Sequence, residues 1–199
     1  MEKRMTDATQ TSVGRRQFLA SWSLCPLVAF AAGCATQDAE NDGEESTSPL
    51  PRTTEDRVEL ALRRFQGGFH CSQSVLEAYA ADFGLDPELA RRIAAGLAGG
   101  STVGGECGAV SAAYLVLGLR HGRTTPAYGD VEQEKELWDR VRSFVEEFES
   151  RHGALTCREL LGVDAFSREG YEEASRRKLF RTRCPSYVQD AVEILDSLG

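Results

Sequence analysis

The chain predicts an all-α fold, a compact bundle of about seven helices around a central apolar helix. Three observations carry this expectation. From Glu55 onward the apolar residues recur at helical spacing, the breaks fall on Gly or Pro, and no stretch alternates apolar with polar residues as a strand would. The 199 residues, 41% hydrophobic and 27% charged, suffice for one domain with a sizeable core. With 23 Lys and Arg against 31 Asp and Glu, the formal charge of -8 repels nucleic-acid phosphates, so nucleic acid is excluded as a partner.

Residues 1–33 are set aside from the fold as a signal peptide. Gly14-Arg15-Arg16-Gln17-Phe18-Leu19 resembles the twin-arginine export consensus. The apolar run Ala20–Ala32 is short and broken by Ser and Pro26, too little to span a bilayer. It ends in Phe30-Ala31-Ala32-Gly33-Cys34, which resembles a lipobox, so Cys34 is the expected lipidation site and Cys25 leaves with the peptide. Residues 34–54 are rich in Asp, Glu, Ser and Thr, carry Pro49 and Pro51, and read as a flexible acidic linker. Together these features predict an exported domain, anchored to the membrane through a lipid, at the outer face of the cytoplasmic membrane or in the periplasm.

The helical domain occupies residues 55–199. Val58, Leu62 and Phe65 define the first apolar face; Val75, Leu76, Tyr79 and Phe83 define the second, which stops at Gly84. Asp86-Pro87 caps a third helix with Leu89, Ile93 and Leu97 on one side and Gly99-Gly100 behind it. Ala109–Leu119 is apolar nearly all round, with Ala112, Ala113 and Gly118 offering close approach, and is the expected central helix. Asp130–His152 presents Leu137, Val141, Phe144, Val145 and Phe148 on one face and closes at Gly153. A short helix at Cys157–Leu161, one near Glu169–Leu179 and one at Pro185–Leu198, with Val188, Val192 and Leu195 inward, complete the set.

Four of the six cysteines lie in this domain: Cys71, Cys107, Cys157 and Cys184. No Cys-x-x-Cys pair occurs, which removes the spacing signals of zinc ribbons, thioredoxin-like sites and common ferredoxins; the absence of Cys-x-x-Cys-His removes c-type haem attachment. All four fall at or near a predicted helix start, where unpaired N–H groups favour thiolate over thiol, so lowered thiol pKa values are expected. The four starts are expected to meet at one end of the bundle.

These residues carry a resemblance. Cys71 after Gly68-Phe69-His70, the Gly99-Gly100 to Gly104-Gly105 loop, Glu106-Cys107-Gly108-Ala109-Val110-Ser111, Cys157-Arg158-Glu159-Leu160-Leu161-Gly162 and Cys184-Pro185 together resemble the redox-active proteins named for their C, GCAxxG, C, C cysteine pattern. Members commonly read Cys-Gly-Ala-x-x-Gly at the central motif; Ala112 replaces its last glycine here. The resemblance implies a helical redox domain whose four cysteines carry the function. Three readings stay open. Cys71, Cys107, Cys157 and Cys184 serve thiol–disulfide exchange or electron transfer with a redox protein partner, as an enzyme or an electron-transfer component. Alternatively they ligate an iron-sulfur cluster, or zinc, as a binding module. Third, they form two structural disulfides in an exported domain.

Weaker signals point elsewhere. Gly99–Gly105 lacks the Lys-Ser/Thr of a phosphate loop and has no strand before it. His70, beside Cys71, is a candidate ligand or charge partner but reads better as a surface residue; His121 and His152 read as structural cations at helix ends. Arg176-Arg177-Lys178 reads as a solvated helix face.

Overall fold

A computed structural model describes residues 53–124 and 131–199. The predicted signal peptide, the lipobox with Cys34 and the linker up to residue 52 lie outside the described residues, as does Asp130. Among the described residues every regular element is helical, and one isolated antiparallel bridge joins Glu106 and Thr156. None of their helices is long and apolar enough to cross a membrane.

Helix α1 (Thr54–Gln66) opens earlier than expected, inside the last residues assigned to the linker. The reason is a capping box: Asp56 N–H donates to Thr53 Oγ1 at 3.1 Å and Thr53 N–H donates to Asp56 Oδ2 at 3.1 Å. Helix α2 (Cys71–Ala80) buries Val75, Leu76 and Tyr79, then tightens into a 3-10 turn that Gly84 ends at φ 61.

Helix α3 (Pro87–Ala95) is capped by Asp86, whose Oδ1 accepts the Leu89 N–H at 2.8 Å. Its inward face differs from expectation. Ala90 and Ala94 are fully buried, whereas Leu89 and Ile93 are 47% and 49% exposed. Close approach to α2 explains this: Ser72 Oγ donates to the Ala94 carbonyl at 2.8 Å and Gln73 Nε2 to the Arg91 carbonyl at 3.2 Å, a separation that admits methyl groups and turns larger side chains outward.

Helix α4 (Gly108–His121) is the central helix, packed on α2 and on two later helices, α5 (Val131–His152) and α9 (Cys184–Ser197). Ala109, Val110, Ala112, Ala113, Val116 and Leu117 are fully buried. Gly118 faces open space and provides no close approach. Phe144 and Phe148 of α5 are buried and stack with centroids 6.0 Å apart.

Between α5 and α9 come α6 (Cys157–Leu161), α7 (Arg168–Arg176) and α8 (Leu179–Thr182). The single helix expected over 169–179 is broken at Lys178, which takes a left-handed φ of 56 and starts a new turn. The described residues thus form nine α-helices, where about seven were expected.

At the far end of α9 from Cys184, Tyr79, Arg57, Arg120 and Asp196 knit α1, α2, α4 and α9 together. Asp196 pairs with Arg57 at 3.2 Å and with Arg120 at 3.4 Å, and accepts the Tyr79 hydroxyl at 2.9 Å. The two guanidinium groups lie 5.2 and 5.0 Å from the Tyr79 ring centroid. This polar clamp secures one end of the bundle. The cysteines occupy the other.

Candidate functional site

Each domain cysteine stands at a helix start: Cys71, Cys157 and Cys184 are the first residues of α2, α6 and α9, and Cys107 is the N-cap of α4. Local chemistry fixes each start. His70 sits extended before Cys71 and its N–H donates to Gln73 Oε1 at 3.0 Å. Glu159 N–H donates to Thr156 Oγ1 at 3.2 Å, capping α6 just before Cys157. Pro185 occupies the first turn of α9, where its missing N–H costs nothing.

Long-range bonds then bring the starts together. Cys107 N–H donates to the Leu155 carbonyl at 2.8 Å and Cys157 N–H to the Gly105 carbonyl at 2.7 Å, a two-bond antiparallel clasp centred on Glu106 and Thr156. It pairs two cysteines fifty positions apart in sequence. Arg183 Nη1 and Tyr187 Oη both donate to the Leu160 carbonyl at 2.9 Å, tying the start of α9 to the end of α6.

The Cys71 thiol meets α4 where that helix has no side chain. A Cβ at Gly108 would stand 2.8 Å from Cys71 Sγ. Cys71 is a near neighbour of Cys107, and Cys107 of Cys157, close enough for each thiol to act on the acidity of the next. Cys184 lines the same cavity as Cys71 and Cys157. All four are free thiols; Cys107 and Cys157 are buried, while Cys71 and Cys184 are half-buried.

At Cys71, Cys107 and Cys184 the expected lowering of thiol pKa is overturned. Cys71 is held well above the ordinary thiol range, first by its hydrogen bond to Cys107 and then by burial. Cys107 is pushed up to about 12, chiefly by the hydrogen bond to Cys157, and Cys184 to about 12, chiefly by burial. Backbone N–H groups do oppose the rise: those of Gly99 and Ser72 at Cys71, and that of Ala109 at Cys107. Desolvation and neighbouring thiols outweigh these helix-start donors.

The Gly99 donor belongs to a strained loop. Gly99, Gly100, Ser101 and Thr102 have φ of 61, 63, 54 and 63, four consecutive left-handed residues, of which two are not glycine. Phe166 wedges against it; a Cβ at Gly99 would stand 2.1 Å from the Phe166 ring. Arg158 Nη2 donates to the Val103 carbonyl at 3.3 Å from the other side.

Cys71, Cys157 and Cys184 line a cavity of about 810 Å³ whose wall also includes Phe69, Phe166, Tyr171 and Phe180 from several elements. Phe166, Tyr171 and Phe180 were not singled out from the sequence, because they sit in a loop and two short helices with no repeating pattern. His70 lies at the cavity as an exposed residue. His152 departs from the expected cation: packed on Phe148 and Tyr187 and 3.0 Å from Asp190, its pKa is lowered by burial. Arg176, Arg177 and Lys178 are exposed, as a solvated face requires.

Four thiols with backbone N–H donors are suitable ligands for a soft metal or an iron-sulfur cluster in chemical type. Their arrangement is not: among the described residues, no group of three or more His, Cys, Asp or Glu side chains is placed to hold a metal ion. Neither a curated protein nor a solved structure matches the chain. The family model described as "Putative redox-active protein (C_GCAxxG_C_C)" matches residues 69–198, well over half the chain and every domain cysteine. With its four cysteines, its glycine loop and its Cys107-Gly108-Ala109 motif inside that match, the chain belongs to the C_GCAxxG_C_C redox-active family.

Proposed function

We propose that the domain is a dithiol–disulfide redox protein in which Cys71 is the entry sulfur and Cys107 the resolving one. The observation that carries this reading is the half-buried Cys71 thiol on the cavity wall, set against Gly108, the residue next to the buried Cys107. As thiolate, Cys71 attacks a partner disulfide: one S–S bond breaks, a mixed disulfide forms, and one partner sulfur leaves as thiolate. Cys107 then attacks the Cys71 sulfur, forming the Cys71–Cys107 disulfide and releasing the second partner thiol. Two electrons pass to the partner. The reverse sequence delivers a disulfide, and Cys157, held beside Cys107 by the backbone clasp, is the next sulfur in line.

Thiol counting on anaerobically purified protein tests this reading. For the processed protein, without Cys25 and with Cys34 lipidated, four thiols are expected after reductant and two after mild oxidant, and the Cys71–Cys107 disulfide is absent in Cys71→Ser. A thiol count unmoved by oxidant or reductant contradicts it.

The second reading, an iron-sulfur cluster or zinc, is favoured by one observation, three cysteines, Cys71, Cys157 and Cys184, on the wall of one cavity, since thiolates are the ligands such groups take. Metal analysis and visible absorption of the same preparation discriminate the two.

Export completes the proposal. Arg15-Arg16 and Phe30–Cys34 support a domain held outside the cytoplasmic membrane through lipidated Cys34, where a redox protein partner would meet it.

A further inference from the structure

We propose that the cavity beside Cys71 and Cys184 is a binding site for a quinone-class ring, which takes two electrons from the Cys71–Cys107 dithiol. This rests on the dithiol reading and names a small-molecule acceptor for it.

The cavity's size and walls carry the inference. About 810 Å³ lies in the range of small-molecule sites, which are typically apolar with a few placed polar groups. Phe69, Phe166 and Phe180 line it from three separate segments, and Tyr171 packs on Phe180 with centroids 5.8 Å apart. Such walls favour a flat ring, by offset or edge-to-face contact, over a flexible polar ligand. Gln66, His70, Thr102 and Arg181 are among the polar groups at the cavity, and each can donate a hydrogen bond to a carbonyl oxygen of the ring.

The arrangement of sulfur fits the same ligand. Half-buried Cys71 lines the cavity, where a small ring can reach its sulfur, while the buried Cys107 is not among the lining residues. The reaction balances without leaving charge in apolar surroundings. Two thiols lose two electrons and two protons as the Cys71–Cys107 S–S bond forms; the quinone's two carbonyl oxygens take both protons and its ring takes both electrons, giving the quinol.

Duroquinone is the probe, because its ring is fully substituted and resists thiol addition. Full-length protein is reduced, freed of reductant under anaerobic conditions and mixed with duroquinone, while quinol absorbance and remaining thiols are followed. One quinol formed per two thiols lost is expected, with a rate that saturates in duroquinone and is abolished in Cys71→Ser. Tyr171→Ala, an exposed position with little folding risk, and Phe180→Ala should each raise the half-saturating concentration about tenfold. If a glutathione redox buffer oxidises the dithiol but duroquinone does not, or does so without saturation and equally in the Tyr171 variant, the quinone site is wrong and the dithiol reading survives. If neither oxidises it, both fail.

Discussion

Gly108 lies against the thiol of Cys71, leaving no room for a side chain: a Cβ there would stand 2.8 Å from Sγ, 2.9 Å from the Leu97 carbonyl oxygen and 3.2 Å from Ser72 Cβ. Two of these neighbours are held by helix α2 and a third by backbone, so none can yield cheaply. Gly108→Ala should destabilise the domain by about 1–3 kcal/mol, the usual cost of overpacking. It should also part Cys71 from Cys107, so that the pair no longer closes under oxidant. Urea unfolding and thiol counting check the two effects separately. Unchanged stability with normal disulfide formation would contradict the packing account.

Stability should depend on alkaline pH. Cys71, Cys107 and Cys184 are all raised above the ordinary thiol value near 9, the latter two to about 12. The folded state therefore binds more protons than the unfolded chain between those limits. Stability is fully present below about pH 9 and is lost as pH rises toward 12. Alkylation of Cys71 should likewise be slow at neutral pH and accelerate into the alkaline range. A cysteine that alkylates at full rate near pH 7 would oppose this picture.

The left-handed loop makes a prediction of opposite sign. Ser101 and Thr102 hold φ of 54 and 63, which costs a non-glycine residue about 1–2 kcal/mol each. Glycine removes that strain but makes the unfolded chain more flexible by somewhat less. Ser101→Gly and Thr102→Gly should each raise stability by about 0.5–1 kcal/mol. Thermal unfolding of the two variants decides it, a fall in either case being the adverse result.

Much of this was legible in the sequence, and the misses share a cause. Thr156 with Glu159, Pro185 after Cys184 and the glycines before Cys71 and Cys107 are local signals, and they place all four cysteines at helix starts. Whether those starts meet, and in what pairs, is decided by Leu155, Gly105 and Leu160 carbonyls reached across the fold. The thiol pKa values went the other way for the same reason: a helix start is visible in sequence, but burial and a neighbouring thiol are tertiary. In α3, Leu89 and Ile93 outrank alanine in hydrophobicity, yet the short distance to α2 selects Ala90 and Ala94. Nothing in Ser101-Thr102 announces a left-handed turn, since both residues disfavour it.

The clamp at the other end of the bundle supplies a control. Asp196→Ala leaves Arg57 and Arg120 without their shared carboxylate in a nearly buried setting, and should cost about 3 kcal/mol. The cysteines lie at the opposite end of α9, so the folded variant should keep a normal thiol count before and after oxidation. A large loss of redox behaviour in folded protein would mean that the two ends are coupled.

Export is tested by fractionating cells that express the full chain or Cys34→Ala. The wild type is expected in the membrane fraction outside the cytoplasm, and the variant released in soluble form. Equal solubility of both after export would dismiss the lipid anchor.

The most direct test of the account is a redox titration of the full-length protein in glutathione buffers under anaerobic conditions, with differential alkylation and peptide mapping at each potential. The account predicts a single reversible two-electron transition in which a Cys71–Cys107 disulfide forms and is reduced again, lost in Cys71→Ser and in Cys107→Ser. Four cysteines locked in two disulfides that no buffer reduces, or four thiols that remain unpaired at every potential, would contradict it.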